Sequence, residues 1–576
     1  LGRQFPVPRA QWGALVQRIE ALLGGQIDLL AEGLDPAWEE LAEASAARLI
    51  HRRGTTPSPG ESPPASDYQR VDLDRVAVIR PRSVGAESVA LETLRRLGLD
   101  TQLAHLGFNH RQVRGAIGVI VARLIYPASE LATYRWLTQR SGLGELLAAD
   151  FTDLDLNQLY RVGDRLLAHR AALEAHLYAQ ARELFALTET ITLYDLTNTF
   201  FEGTAKSNPQ AQRGHSKEKR MDCPLVTLAL VLDGSGFPKR SAVFAGNVSE
   251  PQTLAGMMAH LGRAATTTPP LVVMDAGIAT QANLDWLKAQ GYPYLVVSRE
   301  RHPCFDPAQA TVVREAPGLS IRVQRVLDET TGEVRLYCHS SAREGKERGI
   351  AERFCTRLEA ALQALADGLH QPRRVKDYAK VLVRIGRLRQ RFARVAHHYT
   401  IQLEQDEATG LASALHWQRR VAIDDLLPGV YCLRTDRTDW DVATLWQTYT
   451  LLTEIEAVFR SLKSELGLRP VYHRLSRRVE AHLFISVLAY HLVHTVRLQL
   501  KAQGIHLSWE RLRAQLAGQE RVTVVLHRDD GKIYHLRKTT HPEADQLAIY
   551  KALGLPSLPG KTVKTLIDPT ADVSQM

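Results

Sequence analysis

The stretch YDLTNTFFEG, residues 194–203, sets Asp195 inside a run of residues that favours a buried β-strand. Its neighbours Ile191, Leu193 and Leu196 are all apolar. A charged side chain in a central strand costs free energy unless it is paired, hydrogen-bonded or bound to a cation. The sequence therefore predicts a partner for Asp195.

The segments that follow this stretch predict an α/β fold. The period changes from helical to strand-like at residue 190, and LVTLALVL (225–232) and KRSAVFAG, joined by the turn DGSG (233–236), predict two antiparallel neighbours. A helix near 251–263 comes next. The run PPLVVMDAGIATQANLDWLKAQGYPYLVVSRE then predicts strand, helix and strand, with Thr280 as N-cap. The order is three strands, helix, strand, helix, strand.

A chain of 576 residues is long enough for two to four domains. The Pro-rich stretch RRGTTPSPGESPPAS (52–66) predicts a linker, and two hairpins among helices predict a mixed α/β insertion before the final helices. The predicted divisions are an amphipathic, helical N-terminal region with its linker (1–85), an all-helical module (86–187), the first part of an α/β core (188–300), an inserted domain (301–440), the second part of the core (441–500) and a C-terminal tail (501–576).

Charge and cysteine content narrow the class of protein. The net charge of +9 makes nucleic acid a reasonable partner, although basic enzymes with other substrates are common. The five cysteines form no CxxC pair, which favours a reducing cytoplasm. The run LFISVLAYHLV near residue 483 is too short to cross a bilayer, so we expect no membrane or secretory segment. The chain begins with Leu1, so we expect a missing or processed N-terminus.

A second carboxylate, Asp275, follows the apolar run LVVM and precedes Gly277 and a predicted helix. This is the strand-to-helix crevice where α/β sheets commonly bind ligands. The alternative is an aspartate that forms a turn or caps the helix. The two interpretations stay open on the sequence alone.

A third carboxylate comes from the predicted helix TLWQTYTLLTEIEAVFRSLKSELG. Helical periodicity places Glu456 at the edge of the buried stripe, beside Tyr449, Arg460 and Lys463. The alternative is an intrahelical pair of Glu456 with Arg460, worth only tenths of a kcal/mol.

The run VKDYAKVLVRIGRLRQRFARVAHH predicts an amphipathic helix with a basic face inside the insertion. That face is either a solvated surface or one that tracks the phosphates of DNA. Its cations are Lys380, Arg384, Arg387, Arg391 and Arg394.

Four motifs in this order resemble the DDE transposases of bacterial insertion sequences, in the family founded on the fourth such element: YDLTNTFFEG, GHSKEKRMDCPLVTLALVLDGSGFP, VVMDAGIA and YTLLTEIEAVFRSLKSELGLRPVYHR. The resemblance implies an RNase H-like core with Asp195 on the first strand and Asp275 after the fourth. Glu456 would lie on a later helix, beyond the inserted domain. These three residues would be catalytic and would bind metal.

The family signature is Tyr, Arg, Glu and Lys at fixed spacing, and Tyr449, Glu456 and Lys463 match it. Leu452 stands where the Arg is expected. Arg460, one turn past Glu456, is the candidate to take over part of the DNA contact of that Arg. Further candidates for DNA contact are Arg469, Tyr472 and His473 in RPVYHR. Candidates for support of the site, or for capping turns, are Asn198, Glu202 and Arg213.

The resemblance also implies a reaction. Two divalent ions, Mg²⁺ or Mn²⁺, held by the three acids would activate water to nick DNA at the element's end, and the released 3′-hydroxyl would attack another phosphodiester. A hairpin intermediate, a cut-and-paste outcome and no covalent link between protein and DNA are expected.

The expected partner is double-stranded DNA, both the terminal inverted repeats and the target. The helical module is the expected reader of the repeats, and synapsis of two ends would require at least two protomers. We expect a bacterial, cytoplasmic protein that joins the nucleoid when bound to DNA. Two alternatives stay open: a metal-dependent nuclease of the same fold, and an inactive DNA-binding protein derived from a transposase.

Overall fold

The computed structural model describes residues 12–23, 42, 68–188, 190–217, 220–259, 269–298, 304–420 and 427–568. The chain forms two compact units. The smaller comprises Leu1–Val76, Leu526–Ile533 and Asp568–Met576, and the larger comprises Ala77–Val525 and Tyr534–Ile567. The larger unit contains every residue that the sequence predicts for the site.

The smaller unit contains helix α1 (Trp12–Leu23), which buries Leu15 and Ile19. This agrees with the amphipathic helical character predicted for the start of the chain. The predicted Pro-rich linker, residues 52–66, lies outside the described residues.

The larger unit begins with strand β1 (Ala77–Ser83), which the sequence did not predict, and continues as helices throughout the predicted helical module. Capping boxes at Asn109 and Asp155 start two of these helices by satisfying their first backbone N–H groups. The helices are α2 (Gly85–Arg96), α3 (Leu99–His105), α4 (His110–Ile125), α5 (Glu130–Gln139), α6 (Leu143–Leu146), α7 (Leu156–Ala168) and α8 (Arg170–Phe185).

A nine-stranded mixed sheet forms the centre of the larger unit, in the order β4–β3–β2–β5–β6–β12–β9–β8–β7. The strands β2, β3 and β4 are antiparallel neighbours, whereas β2, β5 and β6 are parallel. The strands are β2 (Ile191–Phe200), β3 (Leu225–Asp233), β4 (Pro238–Ala245), β5 (Leu271–Met274), β6 (Tyr294–Val297), β7 (Thr311–Ala316), β8 (Leu319–Asp328), β9 (Glu333–Ser340) and β12 (Val430–Thr435). The predicted order of three strands, helix, strand, helix, strand is confirmed.

Both faces of this sheet are buried around β2 and β5. On one face, Tyr194 and Val272 pack with helices α9 (Leu254–Ala259) and α10 (Gln281–Ala289), and Thr280 caps α10 as predicted. On the other face, Leu193 and Val273 belong to the core that later helices complete. Because successive side chains of a strand alternate between faces, Asp195 shares the face of Leu193.

The predicted insertion, residues 301–440, divides into two parts. Its strands β7, β8, β9 and β12 extend the central sheet. The remainder has a separate core and a two-stranded antiparallel sheet, and both predicted hairpins are present. The elements of this separate part are α11 (Ser341–Leu369), α12 (Tyr378–Arg391), α13 (Ala393–Ala396), β10 (Tyr399–Gln405) and β11 (Ala412–Arg419).

Three helices follow the insertion: α14 (Val442–Thr450), α15 (Leu452–Ser464) and α16 (Ser476–Ala502). Helix α15 packs against β2, and α16 packs against α4, α7 and β4, so it joins the helical module to the sheet. In α16 the side chains are buried almost throughout. The helix therefore serves as the shared core of both parts.

Helix α16 is also longer than the apolar run in the sequence suggested. Within the described ranges it is the one single helix long and apolar enough to cross a membrane, and the bent pair α4 and α5 would be a second if it formed one span. However, 78% of the apolar window of α16 is buried inside the protein. The core helix of a soluble protein passes the same test of length and composition.

The predicted C-terminal tail (501–576) contains helices and strands within its described residues. It contains α17 (Trp509–Leu516), β13 (Glu520–His527), β14 (Ile533–Thr539), α18 (Ala544–Leu553) and β15 (Val563–Ile567), and these strands form a sheet in the order β1–β13–β14–β15. Trp509 is fully buried, and its indole N–H donates to the carbonyl of Leu124 at 2.8 Å. Strand β13 pairs with β1, which directly precedes the helical module, and Trp509 bonds to α4 of that module. The segment therefore packs with the helical module.

We predict that Trp509→Ala lowers the free energy of unfolding by about 3–5 kcal/mol, since it empties a fully buried site. Trp509→Phe should cost less because it mainly removes the hydrogen bond to Leu124. Urea titration of both variants checks this, with Leu547→Ala at an exposed position of α18 as the control. Equal losses in Trp509→Ala and the control would contradict the described packing.

Candidate active site

Asp195 has the partner that the sequence demanded. Its side chain is 19% exposed, and its Oδ1 lies 3.8 Å from Nζ of Lys217. The same oxygen accepts a hydrogen bond from the backbone N–H of Leu196 at 2.7 Å. The cost of placing a carboxylate in a central strand is thus offset by an ion pair and a hydrogen bond.

Burial has the largest effect on the pKa of Asp195 and raises it to about 6. Lys217 and the Leu196 N–H oppose this rise, whereas the nearby charges of Asp275 and Glu250 add to it. The carboxyl group is therefore poised to gain from a further cation, because a cation would stabilise its ionised form.

Asp275 lies next to Asp195 because of the register of two parallel strands. Tyr194 pairs with Met274, so the two aspartates follow the last pair of β2 and β5. The carboxylate of Asp275 is exposed and accepts from the N–H of Ala276 at 2.7 Å. Its backbone carbonyl also closes the turn that precedes α10. The turn-forming role considered from the sequence is therefore present, and it leaves the second carboxylate oxygen at the site.

Glu456 is exposed on α15, the helix that covers the β2 face occupied by Asp195. No ion pair or hydrogen bond joins Glu456 to Arg460 within this fully described helix, so the alternative of an intrahelical pair is not seen. The half-buried phenol of Tyr449 is affected by the charges of two of the acids, Asp275 and Glu456. Burial raises the pKa of its phenol most, and the charges of Asp275 and Glu456 raise it further.

Lys463, the last signature residue, approaches the site from one to two turns beyond Glu456. Burial and, after it, repulsion from Lys217 lower the pKa of its ammonium, Asp195 opposes both, and the net result is a pKa of about 8. At neutral pH it therefore stays largely charged. Leu452, at the position of the signature Arg, is the first residue of α15, and Arg460 is exposed without a described partner.

Sequence reasoning missed two charged residues at this site, Lys217 and Glu250. The ammonium of Lys217 lies 3.0 Å from Oε1 of Glu250 and donates to the carbonyl of Leu196 at 2.7 Å. Lys217 belongs to the quoted motif GHSKEKR, but its loop has no periodicity that would predict its direction. Glu250 begins a short turn after β4 and has no distinctive neighbours in sequence.

The three predicted acids thus come from distant segments: Asp195 lies on β2, Asp275 directly follows the adjoining central strand β5, and Glu456 lies on α15, which packs against β2. The family model of the transposase DDE domain matches residues 188–492, a little over half of the chain. The chain belongs to the transposase DDE domain family. The match supports a transposase function and covers Asp195, Asp275 and Glu456 together with the strands and helices that carry them.

Other comparisons add little. No curated protein matches the chain. Among solved structures, it is similar to a cryo-EM structure of the piggyBac transposase synaptic complex with hairpin DNA, at 7% identity and a TM-score of 0.34, over 78% of this chain and 82% of that chain. A TM-score this low does not establish a shared fold.

Within the DDE domain, Asn198 supports the loop that carries Lys217. Its side-chain amide donates to the carbonyl of His215 at 2.8 Å, and its oxygen accepts from the N–H of Lys217 at 3.1 Å. Arg213 braces the following loop through the carbonyls of Met221 and Asp222. The supporting role proposed for these two residues is consistent with such contacts, whereas the backbone N–H of Glu202 donates only to Val471.

The DNA-contact candidates after α15 differ in their surroundings. Tyr472 is 61% exposed. Arg469 is half-buried, and Nε2 of His473 lies 3.0 Å from Oε1 of Glu130 in the helical module. A contact of His473 with DNA stays a prediction, and it would have to form beside this existing pair.

Glu130, His473 and His482 are also the one group in the described ranges with metal-ligand spacing. However, Arg123 donates to Nδ1 of His482 at 3.1 Å, and Nε2 of the same ring contacts the carbonyl of Gly467 at 3.2 Å. Both ring nitrogens of His482 therefore already have hydrogen-bond partners. The guanidinium of Arg123 would also repel a metal cation bound beside them. The cluster fits a structural clamp better than a metal site.

The basic helix has the predicted amphipathic character. Val381 and Ile385 are buried in the core of the inserted part, and its cations are exposed on the opposite side of α12. These exposed cations include Lys380, Arg384, Arg387 and Arg391. A role in DNA contact stays a prediction.

We predict that Glu130→Gln lowers the free energy of unfolding at neutral pH by about 2 kcal/mol, because it weakens a largely buried charged contact. Burial alone would raise the pKa of Glu130, but its hydrogen bond with His473 and the charges of His473, His482 and Arg123 lower it to about 2.

A depressed pKa stabilises the fold above the pKa of the unfolded state and ceases to do so as the pH falls. The difference between Glu130→Gln and wild type should therefore shrink as the pH falls from about 4.5 towards about 2. Urea titrations across this range measure it, with Glu329→Gln at an exposed position as the control. A difference that grows on acidification would contradict the clamp.

Proposed function

We propose that this protein is a DDE transposase of a bacterial insertion sequence that cleaves DNA at the ends of its element and joins those ends to a target. The observation that carries the proposal is the placement of Asp195 within β2 beside Asp275 at the end of β5, with Glu456 on the helix that packs against β2, inside a domain of this family. The antiparallel strands β2 to β4, followed by parallel β5, support an RNase H-like core.

The donor atoms at the site suit Mg²⁺ or Mn²⁺, since they are carboxylate oxygens and hard cations prefer oxygen ligands. Asp195, Asp275 and Glu456 would hold the ions. When bound, two such ions would activate a water molecule and stabilise the leaving oxygen of a phosphodiester. The raised pKa of Asp195 and the unpaired carboxylate of Glu456 are consistent with a site that gains from added positive charge.

In the first reaction, the oxygen of water bonds to phosphorus and the 3′ oxygen of the element's end leaves as a hydroxyl. In the second, that hydroxyl attacks a phosphodiester of another strand and displaces its 3′ oxygen. No covalent link to the protein is required, and a hairpin at the element's end is a cut-and-paste intermediate of this kind. Tyr449 and Lys463 would hold the phosphates beside the acids, and the phenol of Tyr449 lies close enough to Asp275 and Glu456 to feel their charges.

DNA is the proposed partner, as terminal inverted repeats and as target. The net charge of +9 supports this, as do the exposed cations of α12 and the exposed Arg460 of α15. The helical module is proposed to read the repeats. Synapsis of two ends would take two protomers, and the site of action would be the cytoplasm and nucleoid of a bacterium.

The alternative is a nuclease of the same fold that cuts without joining, because the same acids serve hydrolysis and transesterification. An inactive derivative is less well supported, since all three acids are present in the sequence. Strand-transfer products distinguish the transposase from the nuclease.

We predict that Asp195→Asn, Asp275→Asn and Glu456→Gln each abolish cleavage and joining of labelled DNA carrying the element's ends, with Mg²⁺ or Mn²⁺ present, because each removes a charged oxygen ligand. DNA binding and folding should persist. Glu454→Gln, on the same helix but exposed elsewhere, serves as the matched control. Full activity in any one acid variant would remove that residue from the site, and cutting without joining by wild type would favour the nuclease.

A further inference from the structure

The position of Lys217 is fixed from three sides. Asn198 holds its backbone N–H at 3.1 Å and the preceding carbonyl of His215 at 2.8 Å. The side chain then turns back over β2, where Nζ donates to the carbonyl of Leu196 at 2.7 Å. Holding a lysine side chain in one place costs up to about 2 kcal/mol of conformational entropy. The contacts of the ammonium with the Leu196 carbonyl and with Glu250 offset this entropy cost.

Among the described residues, two of the donors of the Lys217 ammonium have hydrogen-bond acceptors. A lysine ammonium has three N–H donors. One bonds the carbonyl of Leu196, and another faces Oε1 of Glu250 at 3.0 Å. The distance of 3.8 Å to Asp195 is an ion pair but is too long for a hydrogen bond. Because the side chain is 38% exposed, an acceptor from outside the protein can approach the third N–H beside Asp195.

A second ammonium approaches the same carboxylate. The charges of Asp195 and Lys217 both act on the ammonium of Lys463, which lies on the helix that packs against β2. Carboxylates alone would repel the anionic backbone of DNA, since like charges repel strongly where water is partly excluded. The positive charges of Lys217 and Lys463 would offset this repulsion and favour the binding of a phosphodiester at the site.

Glu250 also contacts the ammonium of Lys217, with Oε1 at 3.0 Å from Nζ. Its other carboxylate oxygen lies against the backbone at Gly277, where an added Cβ would be only 2.9 Å away. Gly277 thus leaves space for Glu250 two residues after Asp275. This packing brings a fourth carboxylate into the site through its contact with Lys217.

We propose that Lys217 is a further substrate-contacting residue of this site, binding a phosphodiester oxygen of DNA beside Asp195, and that Glu250 is the positioning residue that holds its ammonium there. The inference rests on the proposed function, because it needs the acids to act on DNA. It adds to the family signature a cation from a separate loop of the DDE domain.

The first test measures the cleavage rate at saturating DNA. The DNA fragment carries the sequences that flank the reading frame, where the ends of the element are expected. Lys217→Met should lower the rate about 100-fold, as expected for loss of a charged group that acts on the reacting phosphate. The DNA dissociation constant should change by only a few fold. Lys217→Arg should restore part of the rate, and Lys206→Met, at an exposed lysine nearby, should match wild type.

The second test uses Mn²⁺ alone and needs no turnover. Removing the ammonium leaves the site one charge more negative, so Lys217→Met should bind Mn²⁺ more tightly, by about tenfold. Asp195→Asn should bind Mn²⁺ more weakly. Slower cleavage combined with tighter Mn²⁺ binding indicates a substrate contact. If Lys217 were merely structural, its removal would lower both the cleavage rate and the affinity for Mn²⁺. Weaker Mn²⁺ binding by Lys217→Met would overturn the inference.

A double-mutant cycle tests the role of Glu250. If Glu250 acts through Lys217, the rate loss of Glu250→Gln should disappear in the Lys217→Met background. Additive losses would mean that Glu250 acts independently, and they would overturn its positioning role.

The outcomes separate this inference from the proposed function. If Asp195→Asn abolishes cleavage while Lys217→Met cleaves at the wild-type rate, the inference alone fails. If wild type does not cleave, the proposed function fails and the inference fails with it.

Discussion

The parallel pairing of strands β2 and β5 is the constraint on which the candidate site depends. The register Tyr194 to Met274 sets Asp195 and Asp275 at adjacent positions just beyond the last pair. A slip of one residue would turn Asp195 to the opposite face of the sheet, where Tyr194 now packs with α9 and α10. Burial of the face under α9 and α10 disfavours such a slip, because the carboxylate would enter that apolar core.

The second constraint is electrostatic. Several carboxylates near one another repel, and burial makes the ionised form of Asp195 less favourable still, as its raised pKa shows. Lys217 and Lys463 offset part of this cost from two different directions. The protein thus keeps acids of like charge together with its own cations. Added divalent cations would stabilise the same arrangement further, which links the charge balance of the fold to the proposed reaction.

The sequence predicted those parts of the fold that have a local pattern. The strands around Asp195, the strand before Asp275 and the stripe of α15 that presents Glu456 all follow from alternation or helical period. Lys217 and Glu250 could not be predicted in this way, because the loop backbone at Lys217 is held by Asn198 on strand β2, 19 residues earlier.

Long-range pairing explains the other differences. The supposed tail folds because β13 pairs with β1, more than four hundred residues earlier in the chain. Strands of the predicted insertion join the central sheet for the same reason, since β12 pairs with both β6 and β9. His473, in a motif that the sequence assigned to DNA contact, also meets Glu130 of the helical module. No period in the sequence reports contacts of this kind.

Anomalous diffraction from crystals of the protein grown with Mn²⁺ tests the central claim most directly. The account predicts Mn²⁺ peaks bounded by Asp195, Asp275 and Glu456, with two ions about 3.5–4 Å apart when both positions fill. Peaks at Glu130, His473 and His482, with none at the three acids, would contradict it.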